Sequence, residues 1–166
     1  MAAVAYPATT NVVATYTRGP GTVIRRLLAF GQREDRALIY LMVACIIMAA
    51  GSLPGIARRA HLAGNDPGPE MQAAVLAWVL FAPLALYLIA PITRLIGMIF
   101  RGSGSWYGAR LALFWALLAA SPLYLLLGLT DGFVGQGIEW RGVGIAWIAA
   151  FLWFWIGGAI GQERAT

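Results

Sequence analysis

Four apolar stretches alternate along this chain with short segments that hold almost all of its charge. Residues 37–55, 71–93 and 142–161 contain no charged side chain, and residues 109–129 contain only Arg110, next to the edge. A helix rises about 1.5 Å per residue, and a bilayer core is about 30 Å thick, so stretches of about 20 residues suffice to cross. In lipid every backbone N–H and C=O must be paired within the segment, which selects helices for such runs. The pattern therefore predicts an all-α, polytopic membrane protein with four transmembrane helices over residues 37–161. The first span is slightly short, and Pro54-Gly55 is its expected end.

The third span is the one around which the others are arranged. It follows the polar loop Gly102-Ser103-Gly104-Ser105 and carries Ala112, Ala116 and Ala120 at intervals of four, a stripe that lets a second helix come close. Ser121-Pro122 places a kink near its middle. Proline removes one backbone donor, and the serine hydroxyl is at hand to satisfy the carbonyl left over. The second span contains Pro83 and Pro91 and extends as an apolar strip between Arg94 and Arg101, which share a helical face. The fourth span ends in Gly157-xxx-Gly161, a small-residue pair of the kind that can form a dimer face and that also arises by chance in Gly-rich spans.

Ahead of the spans, residues 1–21 read as an extended tail. Residues 22–31 differ. At about 100° per residue, Val23, Ile24, Leu27, Leu28 and Phe30 fall on one half of the helical wheel, with Arg25 and Arg26 on the other. Thr22 is the expected N-cap and Gly31 the left-handed stop. Too short to span, this helix is expected to lie in the interface with its arginines toward lipid phosphates. Docking of its apolar face on another subunit is the competing reading. Asp35 is placed to cap the first span.

Composition sharpens the class. The chain has 166 residues, 60% hydrophobic and 11% charged, with a mean hydropathy of +0.73. A soluble domain carries about a quarter charged residues, so this surface cannot be mostly wet. All twelve basic residues are arginine, which with abundant Ala, Gly and Leu reads as the coding bias of a GC-rich bacterial genome. Arg18, Arg25, Arg26, Arg33, Arg36, Arg94, Arg101, Arg110 and Arg164 fall on one side of the spans, and Arg58, Arg59 and Arg141 on the other. The positive-inside rule then places both termini and the middle loop in the cytoplasm of a cell with this protein in its inner membrane. The net charge of +5 flanks apolar runs rather than forming one basic segment, so it points to lipid headgroups and topology and not to nucleic acid.

The chemistry of a catalyst is sparse. The single Cys45 sits in an apolar run, and the single His61 has only Asp66 and Glu70 near it, so no metal set of matched spacing forms. Gly102-Ser103-Gly104 precedes a span instead of following a strand, which removes the phosphate-loop reading. No acid lies within a span, as a proton-coupled carrier would have it. Nothing here calls for a cofactor or an enzyme.

Arg25-Arg26-Leu27-Leu28 in an amphipathic leader, Arg33-Glu34-Asp35-Arg36-Ala37 entering a span, and Gly102-Ser103-Gly104-Ser105-Trp106-Tyr107 leading to Ser121-Pro122 resemble the bacterial Yip-domain (Ypt-interacting protein) family, in its short alphaproteobacterial form. The resemblance implies a multi-span helical membrane protein with a cytoplasmic N-terminus that binds other proteins. Eukaryotic members bind small GTPases in vesicle traffic. This chain has four spans where the family commonly has five, and a short tail.

Two functions follow as expectations. The first is a non-catalytic inner-membrane protein that binds other integral membrane proteins, as an accessory or assembly subunit of a large respiratory or photosynthetic complex. Arg25, Arg26, Arg94 and Arg101 would meet lipid or partner, Gly157 and Gly161 would form an oligomer face, and Trp147, Trp153 and Trp155 would add a contact surface. The alternative is a small oligomeric transporter or lipid-handling protein. It would keep a polar cavity at Pro83 and Ser121-Pro122, where the first fills the kinks with side chains.

Overall fold

The computed structural model describes residues 8–99 and 104–163. In chain order the helices are α1 (Ala8–Arg18), α2 (Pro20–Ala29), α3 (Glu34–Ala63), α4 (Gly68–Leu76), a π-helical turn (Ala77–Phe81), α5 (Ala82–Ile99), α6 (Trp106–Phe133) and α7 (Ile138–Glu163). Four segments are long and apolar enough to cross a membrane: Glu34–Ala63, Gly68–Ile92, Trp106–Phe133 and Ile138–Glu163. The chain is a multi-pass helical membrane protein. One end of the bundle carries the α2–α3 and α5–α6 connections and the end of α7; we call it the near end. The far end carries the α3–α4 and α6–α7 loops.

α6 is the centre, with 67% of its most apolar window buried against 11% for α7 and for the α4–α5 span. Ser105 caps it, its hydroxyl accepting the Gly108 N–H at 2.9 Å. At Pro122 the backbone bond to Leu118 is lost, and the Ser121 hydroxyl donates to the Leu118 carbonyl at 2.7 Å in its place. Ser121 is buried, and Pro122 beside it is exposed.

α3 runs parallel to α6, and glycines let the two touch along their far halves. A side-chain carbon on Gly128 would overlap the Gly51 carbonyl, and one on Gly132 would lie 2.6 Å from Pro54 Cβ. The expected alanine stripe serves a different neighbour. Ala112 packs at Gly158 of α7, and Ala116 and Ala120 cluster with Phe154. Small residues on two faces of α6 thus bring both neighbours in close, where dispersion contacts replace the hydrophobic force that lipid does not supply.

The boundaries differ from the sequence reading in several places. Pro54 does not end α3, which continues to Ala63 and stops at Gly64, in the left-handed region at φ 68°, with the Asn65 N–H on the Ala60 carbonyl at 2.9 Å. Proline is tolerated there because it faces Gly132 inside a packed bundle. Asp35 is not a cap: Arg33 is the N-cap, and Glu34 and Asp35 lie in the first turn, where negative charge suits the helix dipole. Residues 8–18, expected as extended tail, form α1.

The N-terminal helices pack on the bundle. α2 begins at Pro20 after Gly19, not at Thr22, and buries Val23, Ile24 and Leu27 against α6 and α7. Its apolar face therefore meets protein instead of acyl chains, while Arg25 stays outside. Gly31 has the expected positive φ, 89°. The Gly157-xxx-Gly161 groove is filled by this helix: a carbon added to Gly21 would lie 3.0 Å from the Gly157 carbonyl oxygen and 3.2 Å from Gly161 Cα. The pair is thus a seat for α2 of the same chain. α1 buries Asn11 and Thr15. Trp115 Nε1 donates to Thr15 Oγ1 at 2.9 Å, and the Tyr16 hydroxyl donates to the Ala119 carbonyl, midway along α6, at 2.8 Å.

Candidate functional site

α4 buries none of its residues, so it stands off from the close-packed α3–α6 pair. The space left between them is a partly open cavity of about 520 Å³ at the far end. Its walls are kept open by side chains that occupy little volume: Gly51 and Ser52 of α3, Ala73 and Ala74 of α4, Ala77 at the start of the π turn, and Gly128 of α6. Tyr124 and Leu127 line the α6 side, and Gln136 and Trp140 complete the lining from the α6–α7 connection and α7.

The mouth is charged. Arg59 reaches from the last turns of α3 with both terminal nitrogens engaged, Nη1 to Asp131 Oδ2 at 2.8 Å and Nη2 to Glu70 Oε1 at 3.2 Å. Asp131, in the last turn of α6, is the most enclosed of the three, its side chain 15% exposed. It fits because a side chain on Gly55 would collide with its carboxylate. Glu70 sits in the first turn of α4 and is about half exposed, so the ion pair also ties the stand-off helix to the bundle. Arg58 turns away, donating to the Phe133 carbonyl at 2.7 Å. The mouth thus holds one cation and two anions.

Below the mouth the character changes. Tyr124 lies two turns down α6 from Asp131, about 10 Å deeper at the helical rise. Its ring meets Trp78 of the π turn at 5.6 Å and Trp147 of α7 at 5.3 Å, both near-perpendicular. The π turn itself ends just before Pro83, with the Ala82 N–H bonded back to the Ala77 carbonyl. Such wide turns recur at functional sites, because they displace the chain by part of a turn. A charged mouth and, about 10 Å deeper, a largely apolar lining around the Tyr124 ring, itself backed by Trp78 and Trp147, suit a molecule with a polar head and a greasy body.

None of the residues expected as lipid or partner contacts is seen to line this cavity. Arg25 and Arg26 are on the N-terminal helix at the near end. Arg94 pairs with Glu163 at 3.6 Å, linking α5 to α7. Arg101 lies outside the described residues, and Gly157 and Gly161 seat α2. His61 is exposed at the end of α3, and Asp66 accepts the Gly68 N–H at 3.0 Å; among the described residues no group of three potential metal ligands occurs. Of the three tryptophans expected as a contact surface, Trp147 and Trp155 pack inward on Phe151, and only Trp153 faces out. Arg59, Asp131 and Glu70 read in the sequence as loop charges; the signal was that opposite charges fall at three span ends on the same side.

The near end is closed by polar contacts. Arg110 pairs with Glu34, joining α6 to α3, and the Gly104 N–H donates to Glu163 at 2.6 Å. The Tyr107 hydroxyl donates to the Arg33 carbonyl at 3.2 Å. Compared with family models, curated proteins and solved structures, the chain matches none.

Proposed function

We propose that this protein is a non-catalytic membrane protein that binds a lipid or lipid-like amphiphile in the far-end cavity. The observation that carries this reading is the cavity of about 520 Å³ whose ionic mouth and largely apolar lining match the two halves of such a molecule. The volume falls within the range of small-molecule sites, and the lining has the expected few placed polar groups on an apolar wall. Neither Pro83 nor Ser121-Pro122, the expected places for a cavity, lines this one, which opens instead between α3, α4 and α6. The arginine asymmetry supports an inner membrane setting with the near end in the cytoplasm and the cavity facing outward.

The test is lipid retention. Protein extracted in mild detergent is expected to carry a stoichiometric amphiphile in native mass spectrometry. Ala77→Phe, which fills the cavity, is expected to lose it at unchanged helix content. Equal retention by the filled variant overturns the reading.

A second reading is the accessory subunit of a larger membrane assembly, in line with the Yip-family resemblance. The ridge Leu76, Leu80, Leu84 and Leu88, exposed at intervals of four along the α4–α5 span, favours it. Nanodisc extraction that brings down a stoichiometric respiratory or photosynthetic complex supports this reading, and recovery of the chain alone opposes it.

A further inference from the structure

We infer that the head group recognised at the cavity mouth is zwitterionic, a phosphate with a primary ammonium; this rests on the amphiphile-binding reading above. The argument is one of charge and of donors left over. Among the charges that line the cavity, Arg59 is the one cation and Asp131 and Glu70 the two anions, while Arg58, the next cation along α3, points to the Phe133 carbonyl and lies outside the lining. A head group with net negative charge therefore meets an excess of one carboxylate. A head group that also carries an ammonium cancels it.

The two carboxylates are not equivalent. Asp131 is enclosed and held by Arg59, with Gly55 giving it room, so it serves to orient the guanidinium. Glu70 is exposed along one edge, and only one of its two oxygens is within reach of Arg59. The other oxygen is the acceptor for an ammonium. Guanidinium has five N–H donors, and the two ion pairs use two of them, which leaves a fork for a phosphate beside the ammonium site. Trp140 at the rim adds an aromatic ring of the type that settles at headgroup depth. Acyl chains then run past Ala73, Ala74 and Ala77.

The experiment uses the full chain, stripped of endogenous lipid in detergent and offered equimolar dioleoyl phosphatidylethanolamine and dioleoyl phosphatidylglycerol in native mass spectrometry. The expected result is preferential retention of the ethanolamine lipid by about tenfold, the scale of one hydrogen bond to a charged group. Glu70→Gln is expected to bring the ratio near one, and Glu70→Lys to invert it. Arg141→Gln, a neighbouring charge outside the cavity, is expected to leave it unchanged. Glu70 is chosen over Arg59 because loss of Arg59 strands Asp131. Retention of phosphatidylglycerol as well as or better than phosphatidylethanolamine, abolished by Ala77→Phe, overturns the head-group assignment while the cavity reading stands. Failure to retain either lipid overturns both.

Discussion

Ser121 and Pro122 act as a pair. The proline frees the Leu118 carbonyl and the serine hydroxyl covers it, so Ser121→Ala leaves a buried acceptor bare at a cost of about 0.6 kcal/mol, the average for a polar contact between membrane helices. Pro122→Ala restores a backbone donor to the same carbonyl. In that background Ser121→Ala is expected to cost almost nothing, and a double-mutant cycle of reversible unfolding in mixed micelles reads the difference. Gly128 belongs to a harsher class, because what its added carbon meets is the backbone of Gly51 and not a flexible side chain. Gly128→Ala is expected to lose about 1–3 kcal/mol by overpacking. Gly142→Ala, with open space around it, is expected to be neutral or to gain from helix propensity. Equal effects at the two glycines would remove the claim that α3 and α6 are held at glycine distance.

Among the elements, the four spans were plain in the pattern because a run of about 20 apolar residues has few other readings. α1 was hidden for the opposite reason. Its buried face is Asn11, Ala14 and Thr15, two polar residues at helical spacing and one small one, and a search for apolar periodicity passes over them. The amphipathic character of α2 was visible, but sequence cannot say whether an apolar face will meet lipid or protein, and here the Gly157–Gly161 groove took it. The cavity was hidden as well, since it depends on α4 standing off from residues that are small but otherwise unremarkable. Gly21→Val is the direct test of the α2 seat. It is expected to speed amide exchange across α1 and α2 by at least about tenfold, while α3, α6 and α7 keep their protection. Uniform loss of protection would mean that the N-terminal helices are part of the core and not a unit docked upon it.

The whole molecule has two unlike ends, one latched by Glu34–Arg110 and Arg94–Glu163, the other open at the cavity. With Cys45 buried, single-cysteine variants report which end faces out. Asn65→Cys and Gln136→Cys are expected to react with an impermeant maleimide on intact cells, and Arg33→Cys only after lysis. Early labelling at Arg33 would reverse the proposed orientation. The docking of α1 and α2 also sets an order in time. Tyr16 finds its carbonyl 103 residues further along the chain, and Gly21 finds its groove on α7, the last of the described helices. At about 5–20 residues per second, the first helices leave the ribosome on the order of ten seconds before their seat exists. Docking of α1 and α2 therefore waits for α7, and in the interval a polar α1 and an amphipathic α2 stay at the surface of a bundle whose groove is still being synthesised.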